Sequence, residues 1–114
     1  MSGIDIDKAI ATAVKTGKVY FGANSAIQSA KTGRAKMIII ASNCPKEIRS
    51  DLEYYCKLSR IPLIVFRGTS TDLAMICGKP FVVSALTIRE PGDSEILRLV
   101  EATETEAESS GGSG

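Results

Sequence analysis

The sequence predicts an α/β protein, a three-layer α/β/α sandwich around a four-stranded mixed sheet. Three observations carry this. Short apolar runs suited to strands alternate with segments of helical periodicity, the pattern that builds a sheet covered by helices. The run "KMIIIA" (36–41) is continuously apolar between polar flanks, as a strand buried on both faces should be. Finally, the helical segment near 70–77 spans only about 12 Å, too little for a parallel crossover beside strands of about 20 Å. The last strand is therefore expected to run antiparallel to its predecessor.

Taken in order, Ile6, Ile10, Ala13 and Val14 keep helical spacing, and Gly17 suits a left-handed C-terminal cap. "VYF" (19–21) is the first strand. Ser25 and Gln28 have capping-box spacing for a short second helix that Gly33 ends. "KMIIIA" follows as a central strand. "SNCPKEIRSDLEYYCKLS" is the longest helix, with Pro45 fitting its first position and Ile48, Leu52, Tyr55, Cys56 and Ser59 as its inward stripe. "IPLIVF" (61–66) gives the third strand. Thr69 and Asp72 form a capping box for a helix from Ser70 to Cys77, which Gly78 and Pro80 terminate. "FVVSALTI" (81–88) is the last strand, and "PGDSEILRLV" opens a final helix with Asp93 as its N-cap. Residues 1–102 are expected to form one domain, and 103–114 a disordered acidic Gly/Ser tail without apolar periodicity.

Composition narrows the chemistry. At 114 residues and 44% hydrophobic, the chain is long enough for one soluble domain with a small core. No apolar run nears the roughly 20 residues of a membrane span, and the N-terminus lacks signal-peptide features, so a cytoplasmic location is expected. Cys44, Cys56 and Cys77 show no C-x-x-C pairing and have no histidine to join them, so they read as buried, idle thiols and no metal or cofactor is expected. The same lack of histidine removes the Ser-His and Cys-His nucleophile pairs. No acid pair or phosphate-loop motif stands out, and "GKP" is not one. The protein is expected not to be an enzyme.

Charge is unevenly placed. Lys15, Lys18, Lys31, Arg34, Lys36 and Lys46 fall in a stretch with no acid, whereas Glu104, Glu106 and Glu108 cluster in the tail. Apart from those three glutamates, the chain carries fourteen bases against ten acids, a net +4. Such a run is a solvated surface unless it surrounds a recognition site.

The polar hinges after the parallel strands and the segment "CGKPF" (77–81) should share one sheet edge, where open α/β sheets commonly bind ligands. Three helix N-termini there would offer amide donors to phosphates. Asn24 and Asn43 can pair with base edges, Phe81 offers a stacking face, and Lys18, Lys36, Lys46, Arg49 and Lys79 add charge. RNA recognition outside regular duplex uses this equipment. The residues also admit plainer roles: the asparagines as turn and cap groups, and Phe81 as core.

"GKVYFGANSAIQSAKTGRAKMIIIASNCP", "DLEYYCKLSRIPLIVF", "GTSTDL", "CGKPFVVSAL" and "PGDSEIL" together resemble the L-seven-Ae family of kink-turn RNA binders, from about Asp5 to Val100. The resemblance implies an RNA-binding edge made of Gly22, Ala23, Asn24 and Ser25; of Asn43; and of Gly78, Lys79, Pro80 and Phe81, beside which the reading of the residues sets Lys36, Lys46 and Arg49 as charge. The box C/D branch carries G-x-N-E-x-x-K. Here Gly22 and Asn24 match, but Ser25 and Gln28 replace the glutamate and lysine, which favours the ribosomal branch. The implied function is a structural constituent of the large ribosomal subunit that binds a kink-turn or similar asymmetric internal loop in ribosomal RNA. The alternative is an RNA-binding module of a non-ribosomal ribonucleoprotein. Implied partners are ribosomal RNA and neighbouring large-subunit components, with no membrane and a monomer when free.

Overall fold

The computed structural model describes residues 5–98, and the expected acidic tail lies outside them. The elements are α1 (Ile6–Thr16), β1 (Lys18–Phe21), α2 (Ala23–Thr32), β2 (Met37–Ile40), α3 (Lys46–Ser59), β3 (Leu63–Val65), α4 (Ser70–Cys77) and β4 (Ala85–Glu90). The sheet order is β1-β4-β2-β3, with β4 antiparallel to both neighbours and β2 parallel to β3. The expected mixed sheet and antiparallel last strand are both present. Insertion of β4 between β1 and β2 makes β2 an inner strand and leaves β1 and β3 as the edges.

β2 is completely buried, and its alternation divides the interior in two. Met37 and Ile39 join Ile10, Ala13, Leu73, Leu86 and Ile88 beneath the α1 and α4 layer. Ile38 and Ile40 join Ala26, Ala30, Leu52 and Cys56 beneath α2 and α3. The small alanines of α2 let that helix lie close to the sheet, while the α3 stripe of Ile48, Leu52, Tyr55 and Cys56 fills the rest of the layer. The three thiols are free and buried; burial pushes Cys56 and Cys77 up to about 11 and raises Cys44. They are packing groups rather than nucleophiles.

Several local expectations are corrected. Gly17 does not take a left-handed cap; its backbone is extended, φ −110° and ψ −164°. A glycine is needed there because a Cβ would collide with the Glu90 carbonyl oxygen and the backbone of Pro91 and Gly92. Ser25 does not open α2: the N-cap is Gly22, so Ser25 stands inside the helix. Pro45 is the N-cap of α3 rather than its first residue. The expected third strand narrows to Leu63–Val65, although Phe66 still donates its backbone N–H to Ile40. The last strand begins at Ala85, four residues after Phe81, because Phe81 to Ser84 cross the end of the sheet instead of pairing along it. After the turn at Gly92, it is Ser94, not Asp93, whose hydroxyl accepts from the Ile96 N–H while donating to the Ala9 carbonyl. The α4 capping box forms as expected: Asp72 N–H donates to Thr69 Oγ1 (3.3 Å), and Thr69 N–H donates to Asp72 Oδ2 (3.0 Å).

Among the described residues, Thr87 Oγ1 in β4 is fully buried without a hydrogen-bond partner. An unsatisfied buried hydroxyl costs about 1 to 3 kcal/mol, whereas valine has nearly the same shape without that group. Thr87→Val is expected to stabilise the protein by about 1 kcal/mol, read as a higher denaturant midpoint at unchanged slope. A lower midpoint would show that the hydroxyl is held by a partner.

Candidate nucleic-acid interface

Backbone hydrogen bonds bring the three polar hinges together at one end of the sheet. Gly22 N–H donates to the Ala85 carbonyl and Ala41 N–H to the Ser84 carbonyl, both at 2.9 Å, so the start of β4 is clamped between the ends of β1 and β2. Ser42 N–H donates to Gly68 and Val83 N–H to Ser70, which attaches the loops before and after α4 to the same end. The parallel direction of β1, β2 and β3 places every segment that follows one of them on this side. The antiparallel direction of β4 puts the segment that precedes it here too.

Gly22, Ala23, Asn24 and Ser25 form one wall. Gly22 has φ 107° and ψ 155°, a conformation essentially confined to glycine, and supplies no side-chain cap to α2. The first amides of α2 therefore remain available to an acceptor. Asn24 projects from the first turn, exposed and with no side-chain hydrogen bond among the described residues. Across from it, Gly78 takes the left-handed C-cap of α4 (φ 70°) and turns the chain into Lys79, Pro80 and Phe81. Phe81 is 51% exposed, and its ring forms a T-shaped pair with that of Phe21 at 6.3 Å between centroids. Lys79 Nζ lies 4.9 Å from the centroid of Phe21, which draws the charge over the same aromatic pair.

Asn43 occupies the second hinge, after β2, but is already engaged. Its Oδ1 accepts from Ser70 N–H at 2.8 Å, and its Nδ2 donates to Ser70 Oγ at 3.4 Å, fastening the loop after β2 to the start of α4. One amide hydrogen is left to face outward. The N-terminus of α4 is thus closed by Asn43, Thr69 and Asp72, and Asp72 adds a negative charge; it does not join α2 and α3 as an anion-binding end. The N-cap of α3, Pro45, makes no side-chain cap bond, so the first amides of α3 stay open beside Lys46. Arg49, one turn further, pairs with Glu53 at 3.3 Å.

Lys36 and Lys18 are displaced from the expected cluster. They precede β2 and begin β1, so they stand at the opposite end of the sheet from the segments that follow those strands, and Lys36 N–H donates to Ile88 near the end of β4. Proximity in sequence to the first hinge misplaced Lys18, and proximity to the second misplaced Lys36. A surface concavity of about 670 Å³ between α1, β3 and α4 has Phe66, Arg67, Gly68 and Asp72 in its lining, so it opens beside the loop after β3, on the α1 and α4 side of the sheet. Among the described residues no group of three or more His, Cys, Asp or Glu is placed to hold a metal, and no helix is long and apolar enough to cross a membrane.

The described residues thus form an α/β/α sandwich around a mixed sheet, with two helix starts that lack side-chain caps, an exposed aromatic and lysines gathered at one sheet end. The chain is a member of the Ribosomal protein L7Ae/L30e/S12e/Gadd45 family, whose model matches residues 4–98. It is 50% identical over 97 residues to large ribosomal subunit protein eL30 of Methanothermobacter thermautotrophicus, covering 85% of this chain and 99% of that protein. It is 51% identical over 98 residues to the protein of the same name from Methanosphaera stadtmanae, covering 86% of this chain and all of the other. The fold is also shared with the solved structure of a protein of unknown function from Bacillus halodurans C, at TM-score 0.72, 17% identity and coverage of 86% and 94% of the two chains. Membership in a ribosomal-protein family agrees with the expected absence of catalysis.

Proposed function

We propose that this protein is a non-enzymatic structural constituent of the large ribosomal subunit that binds a kink-turn, or a similarly asymmetric internal loop, of ribosomal RNA through the three-hinge end of its sheet. The observation that carries the reading is the convergence there of Asn24, Lys79 and exposed Phe81 with the open amides of α2 and α3. Near-complete coverage of relatives named large ribosomal subunit proteins supports the ribosomal setting. The open amides and Lys46 would neutralise phosphates crowded by the bend, Asn24 would meet a purine edge, and Phe81 would receive an unstacked base. Gly78 and Pro80 would hold the loop that presents Phe81. The protein would act by holding an RNA in a bent state that is otherwise only partly populated. In this reading the free chain is a cytoplasmic monomer, and its partners are ribosomal RNA and neighbouring large-subunit components.

Cell fractionation tests the setting. The protein is expected to sediment with the large subunit and remain there through a high-salt wash. Release into lighter RNA-containing particles would favour a non-ribosomal ribonucleoprotein.

Lys79 gives a narrower test. Because its ammonium acts on phosphate charge, Lys79→Ala is expected to weaken several kinked RNAs alike and to reduce the slope of log K against log salt by somewhat under one. A titration series in which the slope stays fixed would make Lys79 a spectator.

A further inference from the structure

The displaced lysines belong to a second feature. Lys18, Arg34, Lys36 and Arg89 converge with Tyr20 and Glu90 on a cleft of about 290 Å³ at the far end of the sheet. The four cations come from the start of β1, the α2–β2 connection and the end of β4, so the fold assembles them. Among the described residues none of the four is in an ion pair, and the only acid lining the cleft is Glu90. The Arg89 guanidinium lies 5.5 Å from the centroid of the Tyr20 ring, which restrains its planar donor fork. Tyr20 and Arg89 also line a shallow groove of about 330 Å³ with Asn24, Ser25, Gln28 and Ser29. Those same two side chains therefore connect the basic cleft to the Asn24 wall of the three-hinge end. The connecting groove is lined by hydroxyls and amides and contains no carboxylate.

We infer that the RNA-binding surface continues from Asn24 down the β1–α2 flank into this basic cleft, where it takes the phosphate backbone of one stem flanking the bend. The inference rests on the RNA-binding reading of the three-hinge end. β1 alone spans about 13 Å at strand rise, so the flank can follow more than one phosphate. Neutral hydroxyl and amide groups suit a passing sugar–phosphate chain, and the cluster of unpaired cations suits its charge. No base reading is implied at the cleft, because lysine and arginine aimed at phosphate position the RNA without selecting its sequence.

The test compares the unsubstituted protein, Arg34→Ala/Lys36→Ala and Phe81→Ala on a kink-turn RNA with two long stems, on the same RNA with each stem cut back in turn, and on a version with its sheared G·A pairs replaced by Watson-Crick pairs. Arg34 and Lys36 are exposed, and unchanged thermal midpoints would confirm that their loss leaves the fold intact. The double variant is expected to lose roughly tenfold in affinity for the long-stem RNA and to lower its salt slope by about 1.5, with no loss on the RNA lacking one particular stem. Phe81→Ala should weaken all the kinked RNAs. No loss in the double variant, or equal loss whichever stem is shortened, would overturn the inference while leaving the three-hinge site standing. Equal binding of kinked and Watson-Crick RNAs by the unsubstituted protein would remove that site, and the extended track with it.

Discussion

Phe81→Ala is expected to weaken binding of a kinked RNA by about 1 to 3 kcal/mol, the usual scale for loss of one aromatic stack on a base. The ring is available for that role because the chain crosses the sheet end at this point. Val83 is buried and bonded to Ser70, while Phe81 and Val82 are exposed at 51% and 63%. What the free protein loses is the edge contact with Phe21, worth about 0.5 to 1.5 kcal/mol at most. The fold should survive. Phe81→Leu separates the two effects, since leucine retains apolar packing but has no π-face to stack. It should remain as stable as the unsubstituted protein and still bind weakly. Anisotropy titrations with a labelled kinked RNA measure both variants, and full affinity in Phe81→Ala with an intact fold would remove Phe81 from the interface.

Gly22→Ala is expected to lower stability by about 1 to 3 kcal/mol, because φ 107° and ψ 155° lie where a residue with a Cβ is strained. Crowding does not contribute: a Cβ at this position would meet nothing within 4 Å. The backbone is held there from two directions, by its own N–H on Ala85 and by its carbonyl, which accepts from Ala26 to begin α2. Relief of the strain would swing the first turn of α2, and Asn24 with it. RNA affinity should therefore fall together with stability, although residue 22 has no side chain to contact RNA. Denaturant unfolding and RNA titration of the same variant check the coupling. Unchanged stability would mean that the loop settles into another conformation at no cost.

Local patterns revealed the layers because they are local properties. The capping pair Thr69 and Asp72 and the C-cap Gly78 bounded α4 at Ser70–Cys77, and that short helix gave the antiparallel direction of β4. From those directions the meeting of three hinges followed. Features set by distant partners were not legible. Gly17 resembles a helix cap in sequence, but its role is decided by Glu90 and Pro91 more than 70 residues away. Asn43 offers a free amide on paper, and Ser70 takes most of it. "FVV" has strand composition, yet its position across the sheet end depends on the start of α4, where the Ser70 carbonyl accepts from Val83 N–H. Lys36 was misplaced by its nearness in sequence to the second hinge, although a strand carries its two flanks to opposite ends of the sheet. The basic cleft was missed because Arg89 lies far along the chain from Lys18, Arg34 and Lys36. Its only sequence signal was the acid-free basic run.

The most direct measurement is a binding titration of the purified protein against a kink-turn RNA and the same RNA with its sheared G·A pairs replaced by Watson-Crick pairs, at two salt concentrations. The proposed site predicts tight binding to the kinked RNA alone, with discrimination that persists at the higher salt. Equal, strongly salt-dependent binding to both would contradict it, reducing Gly22 to Ser25 to the ordinary start of a helix and the surrounding lysines to nonspecific charge.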